Sequence, residues 1–328
     1  MPDPARGSPA AAGRPGDCTV VIPVFNGRPF LEETVEAARR AGCQTDQMVF
    51  VDDFSQDGSA DFVAETYPEA LLIRNTRNLK GVARHVGLAA VTTPNVLFLD
   101  QDDLLCREGL EALALALQAK PSAVATVGRT LCFSGQPPHR RIWPDRSRPW
   151  PKRPLAWKTA AFDVHVSLPP LGGWLVRTQA AAEILLDPRR GPLIGAAWNH
   201  DWAFLAYLSA WGPVYRIPEV ALLYRVREPR VSFDGKRNVG PVAELYDEFR
   251  LLHRARYGAG PTRRFQRFLA ARGRADHAWS QGRFESAACL YSWAALLGLL
   301  AVRSRQIVQS PLLASLSALK RSILAPLP

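Results

Sequence analysis

The chain has 328 residues, 47% of them hydrophobic, enough for one large domain with a sizeable core plus an appendage, and this excludes disorder as its main state. Its 41 Lys+Arg exceed its 30 Asp+Glu, but from Arg250 onward there are 13 basic and 2 acidic residues, so the tail carries the whole formal +11 and the body is neutral. That asymmetry disfavours a nucleic-acid-binding domain, and five widely spaced cysteines without a CxxC pair indicate neither a disulfide framework nor a zinc site, which makes reducing cytosol the simpler home. Residues 1–16, rich in Pro, Ala and Gly without an apolar run, read as a disordered lead-in and not as a secretory signal.

Thr19 to Val24 is a β-branched run of the kind that forms a buried parallel strand, followed by the turn Phe25-Asn26-Gly27. From Pro29 to Ala41 the period changes: Phe30, Leu31, Val35 and Ala38 fall near helical spacing with Glu32, Glu33 and Glu36 between them. Met48–Val51 predicts a second strand, Ser59–Tyr67 a second helix, Ala70–Ile73 a third strand, Gly81–Ala90 a third helix and Val96–Leu99 a fourth strand. Alternating strands and helices imply an α/β fold, with a parallel sheet covered by helices on both faces.

Ligands of such sheets bind beyond the carboxyl ends of the strands. There the sequence places Pro23 to Gly27, Asp52-Asp53-Phe54-Ser55, Arg74-Asn75 and Asp100-Gln101-Asp102-Asp103. Clustered carboxylates repel one another, so something positive is expected between them. Ser134 to Lys158 follows with seven Lys+Arg, one Asp, six prolines and three tryptophans, a composition that predicts a long functional loop in place of a helix or central strand. Then come Gly172-Gly173-Trp174, a helix from Thr178, a helix opening around Trp198–Trp202, and a strand from Val220 to Val226. Beyond Pro241 the pattern is helical, and the apolar stretch Ala287–Val302 is too short to span a bilayer.

Four segments in order carry a resemblance to the inverting family 2 glycosyltransferases of GT-A fold. They are Val20–Asn26, Val51-Asp-Asp-Phe-Ser-Gln-Asp-Gly-Ser59, Asn78-Leu-Lys-Gly-Val-Ala-Arg-His-Val-Gly-Leu88, and Leu97-Phe-Leu-Asp-Gln-Asp-Asp103. The resemblance implies a GT-A, Rossmann-like, mostly parallel sheet over residues 17–238, with a nucleotide-sugar half (17–120) and an acceptor half (121–238). A basic helical region (239–328) would follow it.

The same resemblance implies a nucleotide-sugar donor, with a UDP-sugar expected, and a divalent cation, Mn²⁺ or Mg²⁺, bridging the leaving pyrophosphate. Asp102 would be the direct metal ligand and Asp103 its support. Asp100 would stand beside the ribose and a metal-bound water, Asp53 would face the nucleobase, and Pro23, Phe25, Asn26, Arg84 and Gln101 would complete the donor site. Asp201, at the start of a late helix, would be the general base, because an alcohol is a poor nucleophile until its proton has somewhere to go. Gly172, Gly173, Trp174, His200 and Trp202 would line the acceptor side.

Plainer readings compete: Asp102 or Asp103 as the cap of a helix after Leu104, Asp53 with Ser55 in an Asx turn, Asp201 as an acid favoured by a helix dipole, and Trp174 as core. His85 and His200 depart from the family's usual Asn and Glu, and Arg227 stands where a His is common. The expected acceptor is a sugar or lipid-linked glycan in polysaccharide or cell-envelope synthesis, with no nucleic acid involved. The basic tail would meet an anionic membrane surface at the inner face of the plasma membrane or pack on the catalytic domain. A sugar-phosphate nucleotidyltransferase and a non-catalytic scaffold are the rival functions. The first lacks its glycine-rich signature after strand one, and the second is disfavoured because Asp102 and Asp201 are present.

Overall fold

The computed structural model describes residues 17–135, 141–142, 155–156, 169–196 and 200–226, with residues 248, 252 and 255. The expected tail of residues 1–16, most of the basic Pro/Trp loop, Arg227 and the apolar stretch 287–302 lie outside the described residues.

The predicted alternation forms. β1 (Cys18–Val24), α1 (Arg28–Arg40), β2 (Met48–Asp52), α2 (Ser59–Thr66), β3 (Leu71–Arg74), α3 (Ala83–Leu88) and β4 (Asn95–Phe98) follow one another, with a 3-10 turn over Lys80–Val82 before α3. β3, β2, β1 and β4 lie side by side and parallel, with Val20 opposite Met48, Val49 opposite Leu71, and Val21 opposite Phe98. β1 and β2 are buried nearly throughout, as continuous apolar runs flanked on both faces require.

The sheet then changes character. β5 (Leu104–Leu105), α4 (Arg107–Gln118), β6 (Ala125–Phe133), β7 (Arg141–Ile142), β8 (Leu155–Ala156), β9 (Trp174–Arg177), α5 (Thr178–Leu185), α6 (Arg190–Ala196), α7 (His200–Trp211) and β10 (Val214–Arg225) complete the described chain. The order is β3-β2-β1-β4-β9-β6-β10-β5, with β7 on β6 and β8 on β10. β9 runs antiparallel to both β4 and β6, whereas β6 and β10 are parallel. β10 starts earlier than the expected Val220: it carries Pro218 and Glu219 across register shifts between Arg216 and Leu222, the irregularity that lets a proline sit inside a strand.

Alternate strand residues feed two cores. Val21, Val51, Phe98, Val127 and Trp174 pack under α3, α5, α6 and α7 on one face, while Ile22, Phe50, Leu97, Leu99 and Leu222 pack under α1, α2 and α4 on the other. In the first core Phe98 meets Phe204 of α7 edge to face, with ring centroids 5.9 Å apart. That contact anchors α7, and with it Asp201, to the strand that leads into Asp100.

Candidate active site

The turns after β1 and β2 are stitched together, the end of β1 and the end of β10 are each bonded to the acidic segment after β4, and Arg84 links that segment to the first turn of α7. At β1 the chain turns through Asn26, whose φ is 48°. Its amide donates to Ser55 Oγ (3.0 Å), its Oδ1 accepts from the Gln56 amide (2.8 Å), and the Gly27 and Arg28 amides donate to Ser59 Oγ and Asp57 Oδ2 (3.0 Å each). Gln101 bridges from the end of β4 to Phe25 with two hydrogen bonds, Phe25 N–H to Oε1 (2.8 Å) and Nε2–H to Phe25 O (3.0 Å). Gly27 makes this possible, since a Cβ there would lie 2.1 Å from Gln101 Oε1. Gln101 thus latches the loop that carries Phe25 and Asn26.

Asp52 and Asp53 are buried at 4% exposure each. Asp52 Oδ2, not Asp53, takes the Asx-type bond from the Ser55 amide (3.3 Å). Asp53 Oδ1 accepts from Asn75 Nδ2 (2.9 Å) and the Leu79 amide (2.7 Å), so this carboxylate fixes the segment leading to α3. Next to Asp53, Phe54 has φ 72° and is 47% exposed, and Phe25 is also largely exposed. A bulky residue in the left-handed region is strained, and the hydrogen bonds on either side of Phe54 hold it there.

The next acids come from the end of β4. Asp102 and Asp103 do not cap a helix: β5 intervenes, pairing Leu104 with Leu223, and α4 starts at Arg107. Asp103 is 1% exposed, and its Oδ1 accepts from the Arg225 amide (2.9 Å) while Oδ2 is buried without a partner among the described residues. Burial first, then repulsion from Asp100 and Asp102, pushes its carboxyl well above the usual range. Burial and the same three carboxylates push the Tyr224 phenol up to about 12.

Arg225 stands at the end of the expected last strand, but sequence reasoning gave it no role. Its Nε donates to Asp102 O (2.9 Å), its Nη2 pairs with Glu33 Oε2 (2.5 Å), and its guanidinium lies 4.5 Å from the Phe133 ring centroid and 5.3 Å from that of Phe30. The usable signal was a lone arginine ending an apolar strand opposite an acidic turn.

The second cation is Arg84. From α3 its Nη2 donates to Asp100 Oδ1 (2.5 Å) and its Nη1 pairs with Asp201 Oδ1 (3.0 Å). The positive group expected between the carboxylates is therefore an arginine already in the chain. Burial opposes its charge, but Asp201 and Asp100 outweigh burial and raise its pKa. Beside it His85 is 8% exposed, its ring in the space left by Gly191 and Gly195 of α6.

The acceptor-side expectations fare unevenly. Trp174 is fully buried, with Nε1 donating to Pro169 O (3.0 Å); it is core and offers no face to a sugar. Gly172 and Gly173 form a buried 3-10 turn, and a Cβ on Gly172 would press on the Leu222 side chain at 3.0 Å, so this turn packs closely on β10. Pro23 lies within β1 opposite Val51. His200 begins α7, and the side chains of His200 and Trp202 lie outside the described residues.

The residues fit a hard divalent cation. An over-negative trio at a strand end includes one buried oxygen that protein donors leave unmatched. Among the described residues no three metal-type side chains converge, while such a cation commonly takes one or two carboxylates and completes its shell with phosphate and water.

A sheet whose parallel half ends in clustered aspartates, continued by antiparallel strands and a helix that returns an aspartate, defines a GT-A, Rossmann-like glycosyltransferase. The profile "Glycosyl transferase family 2" matches residues 19–182, half of the chain, and the chain belongs to that family. The fold is shared with crystal structures of S. aureus TarS 1–349. The complex with UDP-GlcNAc (TM-score 0.53) and that with UDP (0.52) are each 14% identical, covering 80% of this chain and 72% and 71% of theirs. S. aureus TarS itself (TM-score 0.51, 15% identity) is matched over 80% of this chain and 43% of its own. No curated protein matches the chain at a significant level.

Proposed function

We propose that this glycosyltransferase moves a sugar from a nucleotide sugar, most simply a UDP-sugar, to a hydroxyl of a polysaccharide or lipid-linked glycan, with inversion at the anomeric carbon. The observation that carries the reading is the facing of two acidic groups, Asp100–Asp103 at the end of β4 and Asp201 at the start of α7, across one buried arginine. UDP and UDP-GlcNAc bound to TarS support the donor class. Asp102, with Asp100 beside it, would hold Mn²⁺ or Mg²⁺, which when bound stabilises charge on the leaving diphosphate.

The chain's own groups do the rest. Asp53 and the Phe25–Asn26 turn flank the nucleoside, and Asp103, tied to the Arg225 amide, fixes the turn that presents Asp102. Asp201 takes the acceptor proton as the hydroxyl oxygen bonds to the anomeric carbon and the bond to the diphosphate oxygen breaks. A single displacement needs no protein nucleophile, and it inverts the centre. The acceptor surface is drawn from the basic loop around residues 134–158, with Arg140, Arg141, Arg146 and Arg148 suited to phosphate. The basic C-terminal region would contact anionic lipid. Among the described residues no helix is long and apolar enough to cross a membrane, and salt-sensitive sedimentation with anionic liposomes tests the contact.

The decisive experiment screens UDP-, GDP- and dTDP-sugars for Mn²⁺-dependent nucleotide release and repeats it with two variants. Asp102→Asn should abolish metal-dependent donor binding. Asp201→Asn should keep it and lower turnover by ~100-fold or more, the low end for loss of a general base. Parental behaviour in either variant would overturn that residue's role, and retained configuration in the product would overturn inversion.

A further inference from the structure

Arg84 was expected to reach the nucleotide, but its surroundings suit another task. Its side chain is 11% exposed, whereas its partners Asp100 and Asp201 are 32% and 38% exposed. The terminal nitrogens divide between them, Nη2 to the carboxylate at the end of β4 and Nη1 to the carboxylate on α7. Each terminal nitrogen that a diphosphate would approach is already engaged by a carboxylate. α6 packs closely beside it: a Cβ on Gly195 would lie 2.7 Å from the Val82 side chain and 3.4 Å from the His85 ring. A planar fork suits this task because it spans two acceptors at once, whereas an ammonium is a point charge on a flexible stem.

We infer that Arg84 is a positioning residue, a buried guanidinium that sets the orientation of Asp201 and ties it to Asp100 on the donor side. The inference rests on the proposed role of Asp201 as the base. Asp201 lies in the first turn of α7 and is more than a third exposed, so an ion pair is needed where packing is thin. The ion pair with Arg84 engages one oxygen, Oδ1, at 3.0 Å. Because the same guanidinium holds Asp100, the distance between donor-side acid and base is set by one rigid group.

The test uses the full chain, with UDP release from UDP-GlcNAc in Mn²⁺ as turnover and calorimetric UDP–Mn²⁺ binding as the control. If the parent does not turn over UDP-GlcNAc, the same set is run with the sugar nucleotide selected by the donor screen. Arg84→Gln should lower kcat by about 100-fold, the size expected when a reacting group is misplaced by an ångström, while the UDP Kd stays within about 3-fold. Arg84→Lys should recover part of that loss, since it reaches one carboxylate.

The discriminating measurement is Arg84→Gln on the Asp201→Asn background. A residue acting through Asp201 has little left to lose there, so the further drop should be below about 3-fold, because groups that work as a unit are not additive. The full 100-fold loss on that background, or a UDP Kd weakened by 10-fold or more, would make Arg84 a donor ligand and overturn the inference. Asp201→Asn with parental turnover would overturn the base assignment first, a separate result. Melting curves accompany each variant, and loss of the fold in both Arg84→Gln and Arg84→Lys would reduce Arg84 to a structural ion pair.

Discussion

Replacing Arg225 by Met tests whether the turn carrying Asp102 is held from behind. Arg225 Nε donates to the Asp102 carbonyl at 2.9 Å, a charged hydrogen bond contributing about 1.5–3 kcal/mol. The flanking Phe30 and Phe133 rings add roughly 0.5–1 kcal/mol each. The Glu33 pair adds under about 1 kcal/mol because Glu33 is 39% exposed and water screens it. Methionine recovers part of the packing and none of the hydrogen bonding, so the net loss is about 2–4 kcal/mol. For a domain of this size that lowers Tm by roughly 5–15 °C. The Asp103 carboxylate keeps its bond to the residue 225 amide in the variant, so the damage should centre on Asp102, and UDP–Mn²⁺ affinity should fall along with Tm. Arg225→Lys, which keeps a charge near Glu33 and loses the fork, should lie between the two. Calorimetric melting and titration measure both quantities, and an Arg225→Met melt within about 2 °C of the parent would refute the reasoning.

Phe54→Gly should raise stability by about 1 kcal/mol, because relief of the left-handed strain exceeds the added freedom of the unfolded chain; a lower Tm would show that the phenyl ring contributes packing its exposure does not suggest. Trp174→Ala should cost about 3–5 kcal/mol as a core cavity, whereas Trp174→Phe should melt earlier yet bind UDP like the parent, and weakened UDP binding there would return Trp174 to the site. Burial raises the Cys18 thiol and pushes Cys43 up to about 12, so at pH 8 neither carries appreciable thiolate. Peptide mapping after iodoacetamide should find both unmodified in the native protein and labelled in denaturant; native labelling would contradict their burial.

The first half of the fold could be read from its residues because parallel strands buried on both faces leave unbroken apolar runs, and α1 and α2 show helical spacing between them. β6 was missed because Gly128, Arg129 and Thr130 interrupt its apolar pattern. The interruption has a physical cause: a Cβ on Gly128 would lie 2.4 Å from Ala221, so close pairing with β10 demands glycine in mid-strand. The early part of β10 was hidden by Pro218. At the site, acids at strand ends were legible because turns expose them to their task, and Asp100, Asp102, Asp103 and Asp201 do gather there. Their partners were not legible. Arg225 lies 122 residues beyond Asp103 and Asp201 117 beyond Arg84, and no local spacing encodes pairings that depend on how the sheet closes. Trp174 was ambiguous because a tryptophan after two glycines looks the same in a core as beside a sugar.

The stitching between the two loops after β1 and β2 bears on how the enzyme can move. Surface loops ordinarily exchange their amide hydrogens fast, yet here the amides of residues 26, 27, 28 and 56 all donate across the gap to side chains of the facing loop or turn. In deuterium-exchange terms this rim should behave more like secondary structure than like a loop, even without ligand. On the proposed donor site, a nucleotide would meet a surface already arranged, with little ordering entropy left to lose on binding.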